Sequence, residues 1–161
     1  MTATGPVDRR PRLATPEDAD AVAELLHAFN EEYEVPTPGV DVLRERLVEL
    51  LGGNATFAVL AGSPPVGLAL VTLRSNVWYQ GPVALLDELY VVPQLRGRGI
   101  GSSLVAEVVG RARQLAVELV EINVDEGDVD AQRFYVRHGF RAVDPDSGER
   151  ALYFSQELDG T

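Results

Sequence analysis

Apolar residues at Ala19, Val22, Ala23, Leu26 and Phe29 recur every three or four positions, the spacing of one helix face. Thr15-Pro16-Glu17-Asp18 marks its start, with a capping threonine, a proline suited to the first helical position and acids in the first turn. A second stripe, Val42, Leu43, Leu47, Leu50 and Leu51, stops at Gly52-Gly53, and the polar, proline-bearing residues 30–39 connect the two. The period then changes. Residues 56–61 and 66–73 read as strands joined through Gly62-Ser63-Pro64-Pro65, which makes a hairpin. The loop 75–82 holds the only tryptophan, Trp78, beside Tyr79, and leads into a long apolar strand over 83–92. Ile100, Leu104, Val105, Val108, Val109, Ala112 and Leu115 predict a helix over 100–115. Residues 119–124 alternate as a strand, 128–138 read as a helix, and strands over 140–143 and 151–158 flank a tight turn at 144–149. With a short first strand over 9–14, the order is β-α-α-β-β-β-α-β-α-β-β. It predicts one α/β domain over 9–161, with a loose tail at 1–8.

Composition narrows the chemistry. At 161 residues and 45% apolar, the chain can bury a core of its own. It has no cysteine, so disulfides, thiolate metal sites and a cysteine nucleophile are excluded, and two histidines cannot build a histidine cluster. No metal is expected. No apolar run approaches the roughly 20 residues that span a bilayer, and the first twelve residues lack the apolar centre of a signal peptide. The expected compartment is the cytoplasm, with no membrane partner. A formal net charge of −11 opposes the lysine and arginine surplus that nucleic-acid binding requires. Such a surface keeps a protein soluble and can also steer a cationic substrate.

Against that acidic background, Arg96-Gly97-Arg98-Gly99-Ile100-Gly101-Ser102 is locally basic and follows an apolar strand directly. Glycines at alternate positions leave the backbone amides uncovered, and the helix that follows places those amides at its N-terminus. This is an anion site suited to phosphate or pyrophosphate. A Rossmann-type domain would carry such a run after its first strand; here four strand-like segments precede it, and the chain ends in strands.

Glu88-Leu89-Tyr90-Val91-Val92-Pro93 followed by Arg96-Gly97-Arg98-Gly99-Ile100-Gly101 resembles the signature of the GNAT superfamily of acyl-CoA-dependent N-acyltransferases. The family pattern Arg/Gln-x-x-Gly-x-Gly/Ala is filled by Arg96, Gly99 and Gly101. A second family signature is matched by Ala131-Gln132-Arg133-Phe134-Tyr135 and then Gly139-Phe140. The element order is similar to the family's over about residues 9–158. The resemblance implies a mixed, largely antiparallel sheet of six to seven strands with about four helices.

It also implies roles. Arg96 would count among the cofactor-binding residues, amides of Gly97, Arg98, Gly99, Ile100, Gly101 and Ser102 would hold the CoA pyrophosphate, and the strand through Leu89, Tyr90 and Val91 would pair with the pantetheine arm. The Leu89 N–H would face the acetyl carbonyl and stabilise the oxyanion that forms there. An acceptor amine would attack directly in a ternary complex. Tyr135 matches the family's general acid toward the departing thiolate; its alternative is an aromatic core residue. Glu88 is the candidate base or amine-binding group, with Asp87 as the alternative and a solvated pair as the bland one. Strand alternation puts Glu88 and Tyr90 on one face and Asp87 on the other, unless a bulge resets the register. Relatives often carry Asn seven residues before the tyrosine, where its side chain helps hold the cofactor; this chain has Asp128 there, a candidate cofactor contact that cannot donate and also suits a helix N-cap.

The acceptor is expected between the first two helices and the 75–82 loop. There Glu31, Glu32 and Tyr33 combine charge with an aromatic ring, and Trp78 and Tyr79 offer stacking or cation–π contact. Asn123, on the strand over 119–124, would extend the cleft; a solvent-facing edge is the alternative. Together these residues suit a small amine-bearing molecule. The Gly127-Asp128 approach to the second signature is locally similar to small aminoglycoside 3-N-acetyltransferases. Two other readings stand beside the enzyme: a non-catalytic acyl-CoA-binding regulatory module, and an acetyltransferase of protein N-termini. Apolar residues on both faces of the last strand (Tyr153 against Leu152 and Phe154) suggest partner contact, and with relatives often dimeric a homodimer is expected.

Overall fold

The strands over 56–91 are apolar on both faces, and in the computed structural model, which describes residues 9–160, each face is covered by helix. The sheet has five strands in sequence order: β1 (Pro11–Leu13), β2 (Thr56–Ala61), β3 (Gly67–Arg74), β4 (Val83–Val91) and β5 (Val120–Ile122). The first three pairings are antiparallel and β4–β5 is parallel. On one face Ala58, Leu60, Leu68 and Tyr90 meet Ala19, Val22, Ala23 and Leu25 of helix α1 (Ala19–Glu32) and Leu47 of α2 (Val40–Gly52). Helix α3 (Ile100–Gln114) covers the other face with Ile100, Leu104, Val105, Val108 and Ala112 buried. It approaches so closely at Gly67 that a Cβ there would stand 3.1 Å from Ile100 and from Leu104. Burying leucines such as Leu60, Leu68 and Leu104 contributes about 2 kcal/mol each.

The α1 start forms as its residues dictate. Pro16–Asp18 make a 3-10 turn, and the Asp18 carboxylate accepts the Thr15 N–H at 2.9 Å and the Arg12 guanidinium at 2.8 Å. Of the α2 stripe, Leu47 is buried, whereas Val42 and Leu50 lie at the edge of the contact and are partly exposed.

The chain falls into two compact units, divided after Ile122. The sheet and three helices belong to the first. In the second, α4 (Val129–Arg137) is capped by Asp128, whose Oδ1 accepts the Ala131 N–H at 3.0 Å. The turn over 144–149 is present: the Asp144 N–H donates to the Glu149 carbonyl, and the Asp144 carboxylate accepts the Asp146 and Ser147 amides.

The expected strands over 140–143 and 151–158 are not formed, so the described residues hold five strands, not six or seven. Only a single bridge, Val143 to Arg150, joins the two segments. Alternation in sequence makes a strand only where another backbone accepts its hydrogen bonds, and residues 151–160 pair with none and are exposed throughout. β5 is likewise three residues long, not six. The loose tail proposed for residues 1–8 lies outside the described residues.

Candidate active site

The pairing of β4 with β5 covers only Ala84–Leu86 against Val120–Ile122. Beyond it, β4 continues through Asp87–Val91 bonded, among the described residues, on one side alone, to β3. The Val92 N–H donates to the Val66 carbonyl at 2.9 Å on the β3 side. Backbone groups alternate sides along a strand, so the N–H groups of Leu89 and Val91 point to the opposite, unpaired edge. Tyr90 is committed elsewhere: it pairs with Leu68 of β3, and its ring is buried against Phe29, with centroids 5.0 Å apart.

The unpaired edge runs directly into the glycine loop. Gly97 and Gly99 take φ of +74° and +82°, which a side chain would strain, and nothing lies within 4 Å of either missing Cβ. Gly99 is the N-cap of α3, and the Ser103 N–H bonds its carbonyl at 3.0 Å. The amides ahead of Ser103 have no carbonyl of their own helix to bond, and no acidic residue sits in this first turn. Ile100, Gly101 and Ser102 form that turn, and Arg98 is exposed beside it. The cradle fits a phosphate ester in shape and in sign of potential. The Arg96 side chain turns away from the cradle. Its Nε donates to the Val91 carbonyl at 2.9 Å and its Nη2 contacts both Glu32 oxygens at 2.9 and 2.7 Å.

The bulge sits at the centre of β4. Leu70 faces Glu88 and Val71 faces Leu86, so Asp87 is the extra residue. It resets the alternation, and Asp87 turns to accept a hydrogen bond from the Thr72 hydroxyl of β3. Thr72 has no feature in sequence beyond a strand-forming side chain, so nothing in the sequence marks it as part of the site. Glu88 is half-buried beside this pair; burial, and secondarily the charge of Asp87, push its carboxyl above the usual glutamate value.

In the second unit Tyr135 is half-buried on α4, edge-on to Phe134 at 5.1 Å and to Phe140 at 5.6 Å. The Asp128 carboxylate is engaged as the α4 cap. Asn123 is exposed, one residue past the end of β5.

The residues expected around the acceptor lie on separate elements of the first unit. Glu31, Glu32 and Tyr33 lie at the end of α1, beside Arg96 and the last turn of β4. Trp78 and Tyr79 precede the first residue of β4, and Val83 to Tyr90 spans about 20 Å of strand. Glu32 is paired with Arg96, and Glu31 with His27 at 3.2 Å. Trp78 is exposed on a loop fastened by Asn76, whose side chain accepts the Trp78 and Tyr79 amides and donates to the Gly81 carbonyl.

Comparison with known proteins identifies the family. The family model described as acetyltransferase (GNAT) family matches residues 20–140. An aminoalkylphosphonate N-acetyltransferase of Salmonella typhimurium is 31% identical over 134 residues, 81% of this chain and 83% of the relative. An aminoglycoside N(6')-acetyltransferase type 1 of Stenotrophomonas maltophilia is 31% identical over 165 residues, 99% of this chain and 98% of its own. A solved structure from Arthrobacter sp. FB24, assigned only as an acetyltransferase, is 50% identical with a TM-score of 0.88, covering 98% of this chain and 99% of its own.

Proposed function

This chain belongs to the acetyltransferase (GNAT) family, and on that premise we propose that it moves an acetyl group from acetyl-CoA to the primary amine of a small cationic molecule. The unpaired edge of β4, running from Leu89 into the glycine loop, carries this reading. An extended ligand arm can complete the hydrogen bonding of that edge as a missing strand would, with its phosphates at the α3 N-terminus. Acetyl-CoA has both parts, and it supplies the activated acyl group.

The chain's own residues then divide the work. The Leu89 N–H lies on the open edge and donates to the acetyl oxygen as negative charge builds there. Glu88, with its raised carboxyl pKa, accepts a proton from the acceptor ammonium so that the amine can attack. Asp87, held by Thr72, keeps a second carboxylate beside it and favours a cationic acceptor. The family signature that Tyr135 fills supports it as the acid for the departing sulfur. The relatives that act on aminoalkylphosphonates and aminoglycosides support a small amine over a protein N-terminus.

Calorimetric titration with acetyl-CoA, with CoA and ATP as comparators, tests the premise of the chemistry. An amine screen then follows CoA release with a thiol reagent, since the chain has no cysteine to react. Saturable acetyl-CoA binding with turnover of a small polyamine or aminoglycoside is the expected result. Binding without turnover on any amine would favour a regulatory module, and no binding would remove the proposal.

A further inference from the structure

Helix α1 ends against its own electrostatics. Its last turn holds Glu31 and Glu32, with Glu34 two residues on, and no basic residue, although a helix C-terminus carries negative potential. Local sequence therefore disfavours this end, and the compensation comes from another element. Arg96, 64 residues later, places its guanidinium on both oxygens of Glu32 at 2.9 and 2.7 Å. The same guanidinium binds the Val91 carbonyl at 2.9 Å through Nε and lies 5.6 Å from the Tyr90 ring centroid. Phe29 stacks on that ring and meets Tyr33 edge-on at 5.4 Å. The pair sits at the surface, with side-chain exposures of 42% for Arg96 and 25% for Glu32.

Arg96 is also the first residue of the glycine loop and sits in extended backbone immediately before the left-handed Gly97. Whatever fixes the backbone at Gly97–Gly99 fixes the root of the Arg96 side chain. Arg96 in turn holds the end of α1 and the open edge of β4 at Val91. A conflict of local and tertiary preference resolved by one residue in a binding loop is the expected form of a functional coupling.

We propose that Glu32 is a positioning residue: through Arg96 it ties the last turn of α1 to the glycine loop, so that loading with acetyl-CoA orders the acceptor side of the site. It rests on the glycine loop being the acetyl-CoA site. Glu32 then touches neither substrate and is not part of an acceptor-binding wall. Because coupling is reciprocal, a bound acceptor that stiffens the end of α1 tightens acetyl-CoA in the same measure.

The test uses the full chain, acetyl-CoA alone and amide hydrogen exchange. In the unmodified protein, acetyl-CoA is expected to slow exchange over residues 29–35 at least about fivefold. Glu32→Gln removes the charge and one strong acceptor, and is expected to bind acetyl-CoA with that protection lost. Arg96→Lys keeps the charge without the fork and should behave alike. The Glu32→Gln, Arg96→Lys double variant should weaken acetyl-CoA binding no more than either single change. Glu24→Gln, on the exposed side of the same helix, should leave both readouts unchanged. Unmodified protein that binds acetyl-CoA without protection at 29–35 overturns the coupling, as do additive losses in the double variant. Failure of the unmodified protein to bind acetyl-CoA would instead remove the site reading on which it rests.

Discussion

Gly81 lies against the carbonyl of Ala116, so close that a Cβ at Gly81 would stand 1.9 Å from that oxygen and 2.6 Å from its carbon. The contact fastens the loop carrying Trp78 onto the turn between α3 and β5. Ala116 is itself held at φ +59°, so the carbonyl has little freedom to retreat. Gly81→Ala is expected to cost about 2–3 kcal/mol, a loss of several degrees in Tm. Gly110→Ala is the internal contrast. That glycine is inside α3 with open space at its Cβ position, and the same substitution should stabilise by about 0.5–1 kcal/mol. Thermal unfolding of the two variants side by side checks the opposite signs.

A second prediction concerns the acid limb of stability. The Arg12 guanidinium holds the Asp18 carboxyl down to about 2, aided by the Thr15 amide. A depressed carboxyl stabilises the fold above its unfolded pKa, near 3.9, and that contribution fades as pH falls toward 2. Arg12 is half-exposed, so solvent screening limits the contribution to about 1 kcal/mol. Asp18→Asn should therefore lower stability to urea at pH 7, with the difference shrinking steadily between pH 5 and pH 2.5.

The cap of α4 and the tyrosine on it are separable. Asp128→Ala removes the acceptor for the Ala131 amide and should cost about 1 kcal/mol, whereas Asp128→Asn keeps the cap and should stay within about 0.5 kcal/mol. Tyr135→Phe keeps both ring contacts and should lower kcat by about a hundredfold. Thermal scans and steady-state rates on the three variants separate the structural from the chemical role. A tyrosine acting only as a core aromatic would show no rate loss.

The parts of this molecule written in local sequence were legible there. Glycines at 97 and 99 announce a backbone that side chains cannot follow, and both take positive φ in the structure. Thr15-Pro16 and Asp128 mark helix starts by short-range capping, and both are found where their spacing puts them. What could not be read depends on partners distant in sequence. Asp87 is a bulge only because Leu70 and Val71 of β3 take Glu88 and Leu86 as partners, and no feature of β4 alone says so. Glu32 looks like a free acid for a cationic substrate until Arg96 is brought against it. Residues 151–158 alternate as a strand does, yet Leu152, Tyr153 and Phe154 are exposed, because alternation does not supply a pairing edge.

As the proposed base, the half-buried Glu88 sets the expected pH behaviour of catalysis, and also its cost in stability. Burial and the charge of Asp87 raise its carboxyl pKa, so the folded protein holds this proton more tightly than the unfolded chain does. A base must be deprotonated to act, so kcat/KM should fall as pH drops through a value above that of an ordinary glutamate. The stability sign runs the other way. A raised carboxyl favours the fold at low pH, and that advantage is lost as pH rises from the unfolded pKa through the folded one. Above its folded pKa the ionised Glu88 is therefore a burden on the fold, and there Glu88→Gln should raise Tm while removing the acidic limb of the rate profile and most of the turnover. Thr72→Val, which deprives Asp87 of its hydroxyl partner, should shift the acidic limb with a smaller loss of rate. Rate profiles from pH 5 to pH 9 and thermal scans on both variants make the comparison. A Glu88→Gln protein with an unchanged limb would move the base to another group.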